Sequence, residues 1–181
     1  MRAKQLSFLP PAPTEHGGEL SRPGKRKTMR PFDRRRPLHL VLRATKARGD
    51  WSMLRPDRKP TIEEWAREIA KKYDVRLYRY ANVGNHLHLL VLARTRRAFQ
   101  AFLREFAGRV ASAITGGRKA HPQKFWDMLA YSRVVSWGRD FGNLDLYFVK
   151  NLFQAAGIRV ARGVRVIPLA GWVQPPGSAM G

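Results

Sequence analysis

Hydrophobic and polar positions change period along the chain, and the changes divide it into elements. Leu38-His39-Leu40-Val41-Leu42-Arg43 reads as a first strand. Thr61-Ile62-Glu63-Glu64 has the form of a capping box, in which a Thr hydroxyl and a Glu carboxylate satisfy free amides at a helix start. Ile62, Trp65, Ala66, Ile69, Ala70 and Tyr73 follow at helical spacing, so this helix ends near Tyr73. Val75 to Ala81 is β-branched and aromatic and predicts a second strand. Asn82-Val83-Gly84-Asn85 is a turn signal, and His86 to Leu92 is a third strand, so the two form a hairpin. Thr95 caps a second helix, whose stripe is Phe99, Phe102, Leu103, Phe106, Val110 and Ala113 and whose stop is Gly116-Gly117. Residues 118–131 show no period. Ser132 to Trp137 reads as a fourth strand, and Asn143 to Ala156 as a third helix stopped by Gly157.

The order β-α-β-β-α-β is the split βαβ, ferredoxin-like order. It predicts an α+β fold: an antiparallel sheet with helices on one face, plus a C-terminal helix. The domain is expected over 38–160. Residues 1–37 precede it with ten Lys/Arg, three acids and six of the twelve prolines, a composition that cannot form a core and predicts a flexible basic arm. Residues 161–181 are expected as a tail.

Charge narrows the class of partner. The 35 Lys+Arg outnumber the 13 Asp+Glu, for a net charge of +22. A polyanion is the natural partner, nucleic acid before a membrane surface, because the cations are not confined to one amphipathic helix. No apolar run approaches the ~18 residues of a transmembrane span, and prolines and charges interrupt any signal-peptide core near the N-terminus. The absence of cysteine excludes disulfide and thiolate chemistry. A soluble intracellular, cytoplasmic and nucleoid-associated protein is the simplest expectation.

Candidate chemistry sits on the third strand and the last helix. Alternate strand residues lie on one face, roughly 7 Å apart. His86 and His88 can therefore aim two imidazoles at one ion, which suits a catalytic divalent cation with open positions better than a closed zinc site. On the last helix, Leu146, Val149, Phe153 and Ala156 form an apolar stripe that Leu144, Phe148 and Leu152 widen, around a polar line of Tyr147, Asn151 and Gln154. A helix apolar around most of its girth is expected to be buried, and its polar line then needs partners inside the protein.

These residues carry a resemblance. His86-Leu87-His88 in a hydrophobic strand, Tyr147-Phe148-Val149-Lys150-Asn151 on a late helix, and His39-Leu40-Val41-Leu42-Arg43 resemble the HUH-type single-tyrosine transposases, most of all the REP-associated tyrosine transposases. The resemblance spans about residues 38–160. It implies that Tyr147 is the nucleophile and that His86, His88 and Asn151 bind a divalent ion, Mg2+ or Mn2+. It also implies nicking and strand transfer of single-stranded, hairpin-bearing DNA through a covalent 5′-phosphotyrosine. Relatives act as monomers or homodimers. Two departures stand out: Gly84 and Leu152 occupy positions where the family often has proline.

Each feature has a plainer reading. His39 contacts DNA or orients the site, or is a structural strand histidine. Trp51, Trp126 and Trp137 stack on unpaired bases, or are half-buried core residues. Candidate phosphate contacts are Lys25, Arg26, Lys27, Arg34, Arg35, Arg36, Arg133, Arg139 and Lys150; solvated cations are the commoner case. The alternative to an enzyme is a non-catalytic DNA-binding protein derived from a transposase domain. A zinc protein of another class comes third, because no further His, Cys or acid cluster completes such a site.

Overall fold

A computed structural model of the chain describes residues 14–20, 29–117 and 124–155. Lys25, Arg26, Lys27, His121 and the expected tail 161–181 lie outside these residues. The described chain forms strands β1 (Glu15–His16), β2 (Leu38–Arg43), β3 (Val75–Asn82), β4 (His86–Ala93) and β5 (Tyr131–Val134), and helices α1 (Lys59–Lys72), α2 (Arg96–Thr115) and α3 (Arg139–Ala155). One antiparallel sheet has the order β1-β5-β2-β4-β3. Without β1, this is the ferredoxin-like arrangement that the element order predicts.

Alternation along the central strands separates two faces. Leu38, Leu40 and Leu42 of β2 and Leu87, Leu89 and Val91 of β4 pack under Ile62, Ala66 and Ile69 of α1 and Phe99, Phe102 and Phe106 of α2. The intervening residues, His39, Val41 and Arg43 on β2 and His86, His88 and Leu90 on β4, turn to the other face. There Leu90, Ala81 and Val135 pack against Phe141, Leu144 and Phe148 of α3. The main core thus lies between the sheet and α1–α2, and α3 covers part of the opposite face.

Local chemistry sets the element boundaries. Thr95 accepts a hydrogen bond from the Ala98 amide at 3.1 Å and caps α2, and Gly116 ends that helix with φ of 70°. In the β3–β4 turn, Asn82 Oδ1 accepts the Gly84 amide at 3.0 Å, and Gly84 takes φ of 91°. The capping box expected at Thr61 is not made. Pro60 occupies the first turn and α1 begins at Lys59, so Thr61 lies inside the helix and donates to the Asp57 carbonyl instead. The fourth strand is shorter than expected, Tyr131–Val134. A turn at Gly138, with φ of 87°, then starts α3 at Arg139 rather than Asn143.

The expected arm is folded where it is described. β1 pairs with the outer edge of β5. Arg30 donates to Ser132 Oγ at 2.5 Å, Phe32 lies 6.2 Å from Phe99 ring to ring, and the Pro37 carbonyl accepts the Val135 amide at 2.8 Å. Residues 14–20 and 29–37 belong to the body of the domain.

Candidate active site

The strand pairing brings three imidazoles into one column on the α3 face. His86 and His88 stack with ring centroids 6.1 Å apart, and His39 stacks on His88 from the neighbouring strand at 5.7 Å. Their planes are within 18° of parallel. α3 sets Tyr147 edge-on to this column, 5.6 Å from His88 and 6.2 Å from His39. Phe148 packs edge-on to both His39 and His88 from the buried side of the helix. Tyr147 is 44% exposed, so its hydroxyl-bearing ring borders solvent while touching the histidines. Asn151, one turn further, is buried.

The buried face of α3 differs from the expected one. Phe141, Leu144, Asp145, Phe148 and Asn151 turn inward, while Leu146 and Leu152 are exposed. Asp145 explains the rotation. Its carboxylate forms an ion pair with Arg79 of β3, and an irregularity in the β3–β4 register between Leu77 and Arg79 brings Arg79 to this face. The acid two residues before Tyr147 was the available signal, but its partner is 66 positions away.

Electrostatics favours lone pairs over charge. Burial, reinforced by His88 and Arg133, pushes His39 down to about 3. Burial and then His86 push His88 down to about 4. His86 is also lowered, by burial first and then by Arg43 across the strand pair. All three rings are therefore neutral near pH 7, the form that ligates metals. Asn85, expected only as a turn residue, fixes one of them: its Oδ1 lies 2.7 Å from His86 Nδ1. A carbonyl oxygen only accepts, so Nδ1 carries the proton and Nε2 keeps its lone pair. An amide directly before the first histidine was the signal.

These residues fit a divalent cation. His88 Nδ1, a ring nitrogen of the His86–His88 pair, is buried without a hydrogen-bond partner, which is costly unless something completes the site. Asn151 Nδ2 is orphaned too, but as an N–H donor it calls for an acceptor and not for a cation. Among the described residues no group of three or more His, Cys, Asp or Glu side chains could hold a metal. The donors that the structure brings together are the imidazoles of His86 and His88, which leave positions over for substrate.

Other candidates are distributed differently. Arg133 is held by Asp140 at 3.0 Å. Arg36 pairs with Asp33 at 2.7 Å, and Arg34 and Arg35 are exposed beside it. Arg139 and Lys150 are exposed at the start and on the outer side of α3. The tryptophans pack into protein: Trp126 donates to the Ala107 carbonyl, Trp137 to that of Arg35, and Trp51 lies against Phe125. Burial and the Glu15 carboxylate push Tyr131 up to about 12, which makes it a poorer nucleophile than a free tyrosine.

The model of the family described as "Transposase IS200 like" matches residues 36–137, more than half of the chain. The chain belongs to the IS200-like transposase family. The match contains His39, His86 and His88 and stops before Tyr147 and Asn151. Two solved structures are similar to this transposase. A candidate transposase of Deinococcus radiodurans R1 is 17% identical, with 70% of this chain and 98% of that one covered and a TM-score of 0.43. A REP-associated tyrosine transposase bound to a REP hairpin is 9% identical, with 72% and 74% covered and a TM-score of 0.48. No curated protein matches the chain. Among the described residues no helix is long and apolar enough to cross a membrane.

Proposed function

We propose that this transposase nicks and rejoins single-stranded, hairpin-bearing DNA of the cytoplasmic nucleoid, with Tyr147 as nucleophile. The observation that carries the reading is the approach of Tyr147 to His88, ring edge to ring face at 5.6 Å. The phenol oxygen attacks a backbone phosphorus and loses its proton. The bond from phosphorus to the 3′ oxygen breaks, and that oxygen leaves and takes up a proton. The protein is then joined to the 5′ end, and a free 3′-OH remains. One ester replaces another, so the step can reverse onto a different strand without ATP.

His86 and His88, with Asn151, would hold Mg2+ or Mn2+. When bound, such an ion polarises a phosphate and disperses the charge that develops on it. Asn85 orients His86, Phe148 seats α3, and the surplus of cations holds the polyanion. The net charge of +22 supports a DNA partner.

The test is incubation with 5′- and 3′-labelled single-stranded hairpin DNA and manganese, followed by a denaturing gel. A protein–DNA adduct that retains the label of the 5′-ended product supports the reading. Cleavage without an adduct, or with the protein joined to a 3′ end, overturns it.

A further inference from the structure

A cavity of about 360 Å3 opens directly beside His86. Its floor is the active face of the sheet, at Val41, Arg43 and His86. Whatever enters it therefore lies next to the proposed cleavage point. One wall comes from residues that precede the family match. After β1 pairs with β5, Gly17 and Gly18 take φ of 80° and 57° and turn the chain back over the sheet. The Gly18 amide donates to the Leu129 carbonyl at 2.9 Å. A Cβ on Gly17 would lie 2.2 Å from the Ala130 carbonyl oxygen, so only glycine allows this wall.

The lining is unlike the rest of this basic surface. Leu20, Met128 and Leu129, three exposed large apolar side chains, meet here. Tyr131 adds an aromatic ring and hydrogen-bonds the Glu15 carboxylate. Glu19 stands on the rim with its side chain 84% exposed, held by Arg43 at 3.4 Å. Arg43 also reaches Asp127 at 3.4 Å. Apolar walls and carboxylates do not suit a phosphate. They suit a flat ring with apolar faces and N–H donors on its edge. An ionised carboxylate only accepts. Guanine offers it two adjacent donors, the ring N1–H and the amino group. Adenine and cytosine offer an amino group alone, and thymine flanks its single N–H with two carbonyls.

We propose that this cavity takes the unpaired base next to the scissile phosphate and selects guanine, with Glu19 as the reading side chain. The proposal rests on the DNA-nicking reading above, and the experiment separates the two. A pool of single-stranded hairpin DNA, randomised at its unpaired positions, is equilibrated with full-length wild type, Glu19→Gln or Gly17→Ala, and the retained DNA is sequenced. The same proteins are assayed for the covalent adduct. Wild type should enrich guanine at one unpaired position. Glu19→Gln should lower that enrichment about tenfold, the scale of one lost bidentate contact. It should also shift preference toward adenine, whose neighbouring donor and acceptor match an amide. Gly17→Ala, which moves the wall and keeps both carboxylates, should flatten the preference. Glu19 is exposed, so its variant folds. No enrichment in wild type, or enrichment that both variants retain, overturns the pocket. Enrichment without any adduct overturns the nicking reading and leaves the pocket standing.

Discussion

At the scale of residues, the site pairs an accessible phenol with buried neutral imidazoles. Tyr147→Phe removes one oxygen from a ring that is 44% exposed. Its stability should stay within about 0.5 kcal/mol of wild type, as for other surface changes, DNA binding should persist, and no adduct should form; an adduct from the Phe variant would place the nucleophile elsewhere. Chelation, His86→Ala and His88→Ala should each abolish nicking while leaving most DNA affinity, measured by gel and by retention in parallel. Full nicking in excess EDTA is the opposing result. A pH effect follows from the histidines. His39 and His88 are held at about 3 and about 4, against 6.5 in an unfolded chain. The unfolded state therefore binds more protons below pH 6.5. Stability of the metal-free protein is complete above that pH and falls as pH drops toward 4 and then 3. Urea midpoints across pH 7 to 4 check this, and a flat profile would contradict it. His86, His88, Tyr147 and Asn151 could be named from the sequence because their types and spacing are local facts, and the structure sets Tyr147 beside His88. The closeness of His39 to His88 was not legible, because it depends on how β2 registers against β4.

At the scale of elements, what decided legibility was whether a signal was periodic. β2, β3, β4 and α2 end within a residue or so of the expected bounds, although β3 breaks its alternation between Leu77 and Arg79. β1 has two residues and no period to read. The start of α3 was missed because Arg139-Asp140-Phe141-Gly142 breaks the apolar pattern, and its buried face was misjudged because a lone acid reads as solvent-facing. Two ion pairs tie α3 to the sheet, Arg133 with Asp140 and Arg79 with Asp145, and the second is the more buried. The Asp145 side chain is 6% exposed and that of Arg79 25%. Asp145→Ala should therefore cost about 3 kcal/mol, the lower end for breaking a buried pair, and should loosen α3 and with it Tyr147. Limited proteolysis within 139–155 and the urea midpoint measure it. Arg79→Met with Asp145→Leu should recover most of the stability, and failure of that rescue would mean the pair does more than dock the helix.

At the scale of the whole molecule, the charge and the sheet carry different duties. The surplus of cations predicts steeply salt-dependent DNA binding. Replacing Lys25, Arg26 and Lys27 by alanine should flatten the plot of log K against log salt by up to about 2, from about 0.7 per phosphate released on single strands, and equally for cognate and random hairpins. An unchanged slope would show that these three do not meet phosphate. The sheet, by contrast, has one dry face and one working face, interleaved residue by residue. Deletion of Leu87 would move His88 and Leu89 each by one position, pointing His88 into the oil between sheet and helices and turning Leu89 to the opposite face. Loss of chemistry and loss of the fold would then arrive together. Length changes tolerated within these strands are thus even steps, changes at their ends, or single residues absorbed by a bulge such as the irregularity between Leu77 and Arg79, and a lineage of this transposase can drift in sequence far more freely than in frame.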